Sequence, residues 1–214
     1  MFKKKAFLIV FEGIEGSGKS YQAKKLFNKL KKKRIETILT REPGGTASAE
    51  IIRNVILKDY FEKNKKLKFD KLTDTLLYMA ARNEHIKQKI IPALKKKKVI
   101  ICDRFIDSTY AYQIDGKKVS NQFIKNIHKF ILRGIKPDLT IVLKVKKSSF
   151  IRRLKKRKTK NRYDNFPIKF YLKAQRAFLK IAKNKSKYLI FESSENSSKL
   201  ENIIYQNVLN RINN

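Results

Sequence analysis

Residues Gly13-Ile14-Glu15-Gly16-Ser17-Gly18-Lys19-Ser20 have the spacing G-x-x-x-x-G-K-[ST]. Glycine has no Cβ, so such a loop lets backbone N–H groups crowd around a polyphosphate. Lys19 supplies a cation for the terminal phosphates, and the Ser20 hydroxyl suits Mg2+. The helix that follows turns its positive dipole end towards the same anion. A second group is Val99-Ile100-Ile101-Cys102-Asp103-Arg104. An apolar strand ending in Asp places a carboxylate near that metal, and Arg104 adds a planar donor fork suited to phosphate. The bland alternative is a strand-end ion pair. Tyr78 and Arg82 stand four apart, so a helix puts them on one face. There they could stack a base and bond its edge, or be a core aromatic beside a surface Arg. His85 and His128 read as structural histidines, and Ser/His catalysis finds no support.

The elements that must hold these groups follow from apolar patterning. Strands are predicted at Ala6–Phe11, Glu36–Thr40, Val99–Asp103, Leu139–Val145 and Tyr188–Phe191. Helices are predicted over 19–33, 46–58, 71–95, 120–133, 147–157, 167–183 and 198–212. Strands separated by helices need crossover connections, hence an α/β fold with a parallel sheet covered on both faces. Ligands then sit at the carboxyl ends of the strands, where the glycine loop and Asp103 both fall. The Thr40-Arg41-Glu42-Pro43-Gly44-Gly45-Thr46 stretch predicts a sharp turn with Thr46 capping the next helix. No linker divides the 214 residues, so a single domain is expected. Lys58–Lys68 reads as a polar insertion, and Arg152–Arg162 as a mobile basic segment above the cleft.

A formal charge of +35 by itself points to nucleic acid or an anionic membrane. The lysines, however, are scattered over every helix-like segment, without an aromatic-interleaved stripe. Together with abundant Asn and Ile this favours A+T-rich coding bias on solvated faces over nucleic-acid binding. A single cysteine, Cys102, excludes an intramolecular disulfide and a cysteine metal site, and a reducing cytoplasm is the simplest compartment. No segment is long and apolar enough to span a membrane, so no membrane partner is expected.

The ordered set GIEGSGKS, TREPGGT, LLYMAAR, DRFIDSTYAYQ and PDLTIVL resembles the bacterial thymidylate kinases over residues 6 to 145, and weakly on to about 192. The resemblance implies a P-loop NTPase fold of three layers with five parallel strands and a short lid near 152–164. It implies transfer of the ATP γ-phosphoryl to dTMP with Mg2+, and a homodimer whose interface takes in the helices near 71–95 and 120–133. Residues 13–20 would bind ATP, with Ser20 and Asp103 on the metal. Glu15 would approach the sugar 3′-hydroxyl, and Arg104 and Arg53 the acceptor phosphate. Tyr78 would stack on thymine, where Phe is usual, and Arg82 would donate to thymine O4. Tyr112 would crowd the sugar 2′ position, with Thr109 and Gln113 lining the same stretch. Gly16 stands where some relatives carry an Arg, which directs the search for transition-state cations to Arg152, Arg153, Arg157 and Arg162. Arg157 joins Lys19, Asp103 and Arg104 as the catalytic set. Tyr21, Lys144, Asn161 and Gln175 depart from the family pattern. Two other readings compete: a P-loop kinase for a different mononucleotide, and a basic P-loop protein that binds nucleic acid without catalysis.

Overall fold

Phe7, Ile9 and Phe11 pack into one core while Leu8 and Val10 pack into another. Side chains alternate across a strand, so an uninterrupted apolar run is what a strand covered on both faces requires. That run is the centre of the computed structural model, which describes residues 6–58, 60, 67–156, 163, 166–195 and 198–213. The five strands are β1 (Phe7–Glu12), β2 (Thr37–Arg41), β3 (Val99–Asp103), β4 (Leu139–Lys144) and β5 (Tyr188–Glu192). They form one parallel sheet in the order β2-β3-β1-β4-β5. Register pairs both Phe11 and Arg41 with Asp103, so the exits of β1, β2 and β3 lie at one edge.

Helices α1 (Lys19–Lys32) and α9 (Ser198–Asn213) cover one face through Leu26, Leu30, Ile204 and Val208. The other face carries α8 (Ile168–Ala182), with Tyr171 and Phe178 buried against Val142. Helix α2 (Ala47–Leu57) starts at Thr46, whose hydroxyl accepts from the Ala49 N–H at 3.3 Å, as the turn signal predicts. Helix α3 (Lys71–His85) is capped by Asp70 and runs through a π-helical turn, Ile86–Ile90, into α4 (Ile91–Lys95). Helices α6 (Asn121–Leu132) and α7 (Lys147–Lys155) complete the predicted set.

Two features differ from the sequence reading. Residues Ile106–Gly116 are helical, as α5 (Ile106–Thr109) followed by the π-helical Tyr110–Gly116. This β-branched and aromatic run has weak helix propensity, so the pattern does not announce it. Its first turn is capped from another strand. The Glu12 carboxylate accepts from the Phe105 N–H at 2.8 Å, the Ser108 N–H at 3.1 Å and the Ser108 hydroxyl at 2.7 Å. Burial, then Asp107, pushes the Glu12 carboxyl up to about 7. Second, the basic segment read from Arg152 onward begins inside α7, which holds Arg152 and Arg153 within the helix predicted over 147–157. Phe150 on that helix is fully buried, its ring 5.1 Å from Tyr171. Arg157, Arg162, Asn161 and most of the Lys58–Lys68 insertion lie outside the described residues. Among the described residues no helix is long and apolar enough to cross a membrane.

Candidate active site

The glycine loop has the conformation its residue types permit. A Cβ on Gly13 would lie 2.5 Å from the Leu143 carbonyl and 2.9 Å from Ser17 Oγ. No side chain fits there, and the backbone bends through a positive φ of 140°. Gly16 and Gly18 also take positive φ, and Gly18 starts α1. Lys19 is buried and donates to the Ile14 carbonyl at 2.7 Å, with Ser17 Oγ 3.5 Å away. Burial, reinforced by Arg104, pulls its ammonium down to about 8. A polyphosphate in the loop opposes both effects, which gives the lysine a strong electrostatic reason to turn towards one.

Ser20 donates its hydroxyl to Asp103 Oδ2, although the two residues are 83 positions apart. The second Asp103 oxygen, Oδ1, is buried without a hydrogen-bond partner. Among the described residues no trio of His, Cys, Asp or Glu is set to hold a metal alone. An orphaned carboxylate oxygen beside a hydroxyl is instead the donor set of a hard cation that takes its remaining ligands from water and phosphate. The residues present therefore fit Mg2+.

A cavity of about 370 Å³ opens from this loop and reaches Arg53, Tyr78, Arg82, Thr109, Tyr112 and Gln113. Glu15 is its junction. Arg104 Nη2 donates to one Glu15 oxygen at 2.6 Å, and the Tyr112 hydroxyl donates to the other at 2.7 Å. Burial pushes the Glu15 carboxyl up, but Arg104, Lys19 and Tyr112 outweigh it and hold it below the usual carboxylate range. Arg104 also donates to the Gly13 carbonyl at 2.9 Å and to Ser108 Oγ at 3.1 Å. Three of its five donors are thus engaged, leaving Nε–H and one Nη2–H for an anion. Arg53 donates to the Pro43 carbonyl at 2.6 Å, and its Nε lies 3.8 Å from Glu50 Oε2. Thr109 and Gln113 are both buried against the cavity.

Arg82 is more deeply built in than its position beside Tyr78 suggests. It is 3% exposed. Nε donates to Glu42 Oε2 at 2.7 Å, Nη1 to Thr109 Oγ1 at 2.7 Å and to His128 Nε2 at 2.8 Å, and Nη2 to the Phe105 carbonyl at 2.8 Å. Four of five donors are engaged, and one Nη2–H remains. His85 completes the chain with Nδ1 on Glu42 at 3.0 Å and Nε2 on Thr40 Oγ1 at 2.7 Å. Both histidines are hydrogen-bonded to neighbouring protein groups. Burial pushes the Glu42 carboxyl up, and Arg82 with His85 overrides this to hold it below the usual range.

The placement of Glu42, Tyr163 and Arg153 at the cleft is what the sequence reading does not single out. Glu42 stood only in a turn motif. Arg82 and His85, three apart on one helical face, were the available signal that a buried acid must answer them. Of the two candidate arginines among the described residues, Arg152 and Arg153, it is Arg153 that packs on the loop. Its Nη1 donates to the Gly16 carbonyl at 2.9 Å and its Nη2 to the Ser194 carbonyl at 2.9 Å. A Cβ on Gly16 would meet Arg153 Cβ at 3.5 Å, so the two share one wall.

Comparison with known proteins agrees with this geometry. The family model described as thymidylate kinase matches residues 11–204. A thymidylate kinase of Aster yellows witches'-broom phytoplasma is 38% identical over 202 residues, covering 92% of this chain and 94% of the relative. One from Wolbachia pipientis subsp. Culex pipiens is 44% identical over 177 residues, covering 81% and 80%. The crystal structure of thymidylate kinase from Ehrlichia chaffeensis superposes with a TM-score of 0.72 at 30% identity, covering 96% of this chain and 98% of that one.

Proposed function

The chain belongs to the thymidylate kinase family, and we propose how its cleft phosphorylates dTMP to dTDP with ATP as donor. The observation that carries the assignment of roles is the single cavity joining the glycine loop to Tyr78, Arg82 and Tyr112. Phosphoryl transfer needs donor and acceptor in line with little covalent help, so a shared cleft is the central requirement.

The loop from Gly13 to Ser20 cradles the ATP phosphates with its N–H groups, and Lys19 turns from the Ile14 carbonyl towards the transferred group. Ser20 and Asp103 would hold Mg2+, which neutralises charge on the phosphates when bound. Arg153 is the cation we assign to the flank of the loop, where it donates to the Gly16 carbonyl. Arg104 and Arg53 receive the acceptor phosphate with their remaining donors. Glu15, held between Arg104 and Tyr112, accepts from the sugar 3′-hydroxyl. Tyr112 closes the 2′ side. The thymine base stacks on Tyr78, and the one remaining Arg82 N–H serves its O4. A cytosine would present an amino donor to that donor, and the mismatch leaves both unpaired.

We assign a single-domain homodimer in a reducing cytoplasm. Leu72 and Leu76 on α3 and Phe130 on α6 are exposed, and those two helices pack side by side. Light scattering on the purified protein tests the dimer. Coupled ADP release across dTMP, dUMP, dCMP, UMP and AMP tests the acceptor assignment. The kcat/KM for dTMP should exceed that for dCMP and UMP by at least about a hundredfold. A dCMP value within tenfold of dTMP overturns the Arg82 assignment.

A further inference from the structure

Tyr163 lines the same cavity as Tyr78, Tyr112 and Arg82, yet it comes from the stretch between α7 and α8 and not from any acceptor-side motif. Its ring stands edge-on to Tyr78, with centroids 6.4 Å apart at 78°, and edge-on to Tyr112 at 6.5 Å and 72°. The Tyr78 hydroxyl donates to the Tyr163 hydroxyl at 2.6 Å. Tyr163 is itself firmly held. Its carbonyl accepts from the Phe166 N–H at 3.0 Å and from the Tyr171 hydroxyl. The Lys117 ammonium lies 5.5 Å from its ring centroid and is paired with the buried Asp74 at 2.5 Å.

We propose that Tyr163 is a positioning residue for the acceptor: its hydroxyl anchors the para position of Tyr78 and so sets the ring on which the base stacks. This rests on the reading of the cleft as the dTMP site. Tyr78 packs on the cluster of Ala49, Ile56 and Ala81, and a rotation about χ1 would carry its face away from the base. The hydroxyl pair stops that swing, and the contacts behind Tyr163 make the anchor rigid. The bond also explains where the effect of its loss must fall. In the open cleft, water can solvate a freed Tyr78 hydroxyl. Once the base covers the ring, the hydroxyl is sealed away without a partner. Loss of the anchor therefore weakens acceptor binding and leaves the donor side alone.

The test is a double-mutant cycle on the purified full-length enzyme. Tyr163→Phe keeps the ring and removes the anchor. It should raise KM for dTMP about five- to tenfold, with kcat and KM for ATP within about twofold of wild type. Tyr78→Phe probes the bond from the other side and should raise the same KM. The double variant breaks that same bond and should raise dTMP KM no further than the larger of the two single effects, well short of their product. An unchanged dTMP KM in Tyr163→Phe, a double variant whose KM rise equals the product of the two single rises, or equal rises in both substrate KM values overturns the inference. A wild-type enzyme without dTMP activity overturns the reading of the cleft itself; a wild-type enzyme that is active, with an indifferent Tyr163→Phe, overturns only the role of Tyr163.

Discussion

Arg82→Lys separates a base-reading arginine from one that also holds the protein together. The guanidinium bonds four buried acceptors spread in a plane: Glu42 Oε2, Thr109 Oγ1, His128 Nε2 and the Phe105 carbonyl, all at 2.7 to 2.8 Å. Lysine keeps the charge, but its three donors radiate from one point and cannot follow that plane. About two of the four acceptors are left without a donor. Each costs about 1–3 kcal/mol, so after partial relaxation the loss is about 3 kcal/mol. For a chain of this length that lowers the melting temperature by about 6–12 °C. Calorimetry at neutral pH, with no nucleotide present, measures it directly. KM for dTMP should rise in the same variant, since the remaining N–H is displaced with the rest of the fork. A melting temperature within about 2 °C of wild type, alongside a raised dTMP KM, would refute the reasoning. Arg82 would then be a free ligand contact whose bonds to Glu42 and Thr109 carry no weight.

Three further outcomes follow from the same geometry. Asp103→Asn should raise the Mg2+ concentration for half-maximal activity at least about tenfold without lowering the melting temperature, because the weakened group is the metal donor; an unchanged Mg2+ profile sinks the assignment. Arg153→Ala should lower kcat about ten- to a hundredfold with dTMP KM unchanged, and a kcat within twofold would remove Arg153 from the transition state. His128→Gln should flatten part of the acid side of the stability profile. Burial, then Arg82, pulls His128 down from 6.5 to about 3. Between those values the unfolded chain takes up a proton that the folded chain refuses. The contribution is complete above 6.5 and is lost as pH falls, by about 2 kcal/mol at pH 5. Glu12, raised from 4.5 to about 7, acts in the opposite sense: its folded form keeps a proton over a range where the unfolded form has released one, so stability falls as pH rises. The readout is therefore the difference between wild type and variant in urea melts at pH 7 and pH 5, and equal slopes would contradict the His128 account.

Much of the scaffold is legible in the residues because its signals are local. The alternation of Phe7, Ile9 and Phe11 against Leu8 and Val10 marks a doubly covered strand, and Thr46 marks a helix start within a few positions of itself. The glycine loop is legible for the same reason, since Gly13 has space for no other residue. Gly45 shows the limit. Its place in the turn motif is plain, but a Cβ there would meet Thr40 Oγ1 at 2.5 Å and the His85 ring at 2.7 Å. The requirement comes from a hydrogen-bond chain that the motif does not mention.

By itself, then, the sequence determined the strand and helix succession, the phosphate loop and the residue types available at the cleft. Only the tertiary structure decided how those residues are employed. It set four of Arg82's five donors on Glu42, Thr109, His128 and Phe105, capped Ile106–Gly116 with Glu12, and brought Tyr163 and Arg153 to the site from beyond β4. The physical reason is that a hydrogen-bond partner and a loss of solvent are properties of packing. Glu12 and Ser108 are 96 residues apart, and Gly16 and Arg153 are 137 apart. Local periodicity carries no record of which distant group the sheet will bring alongside, or how much water it will exclude.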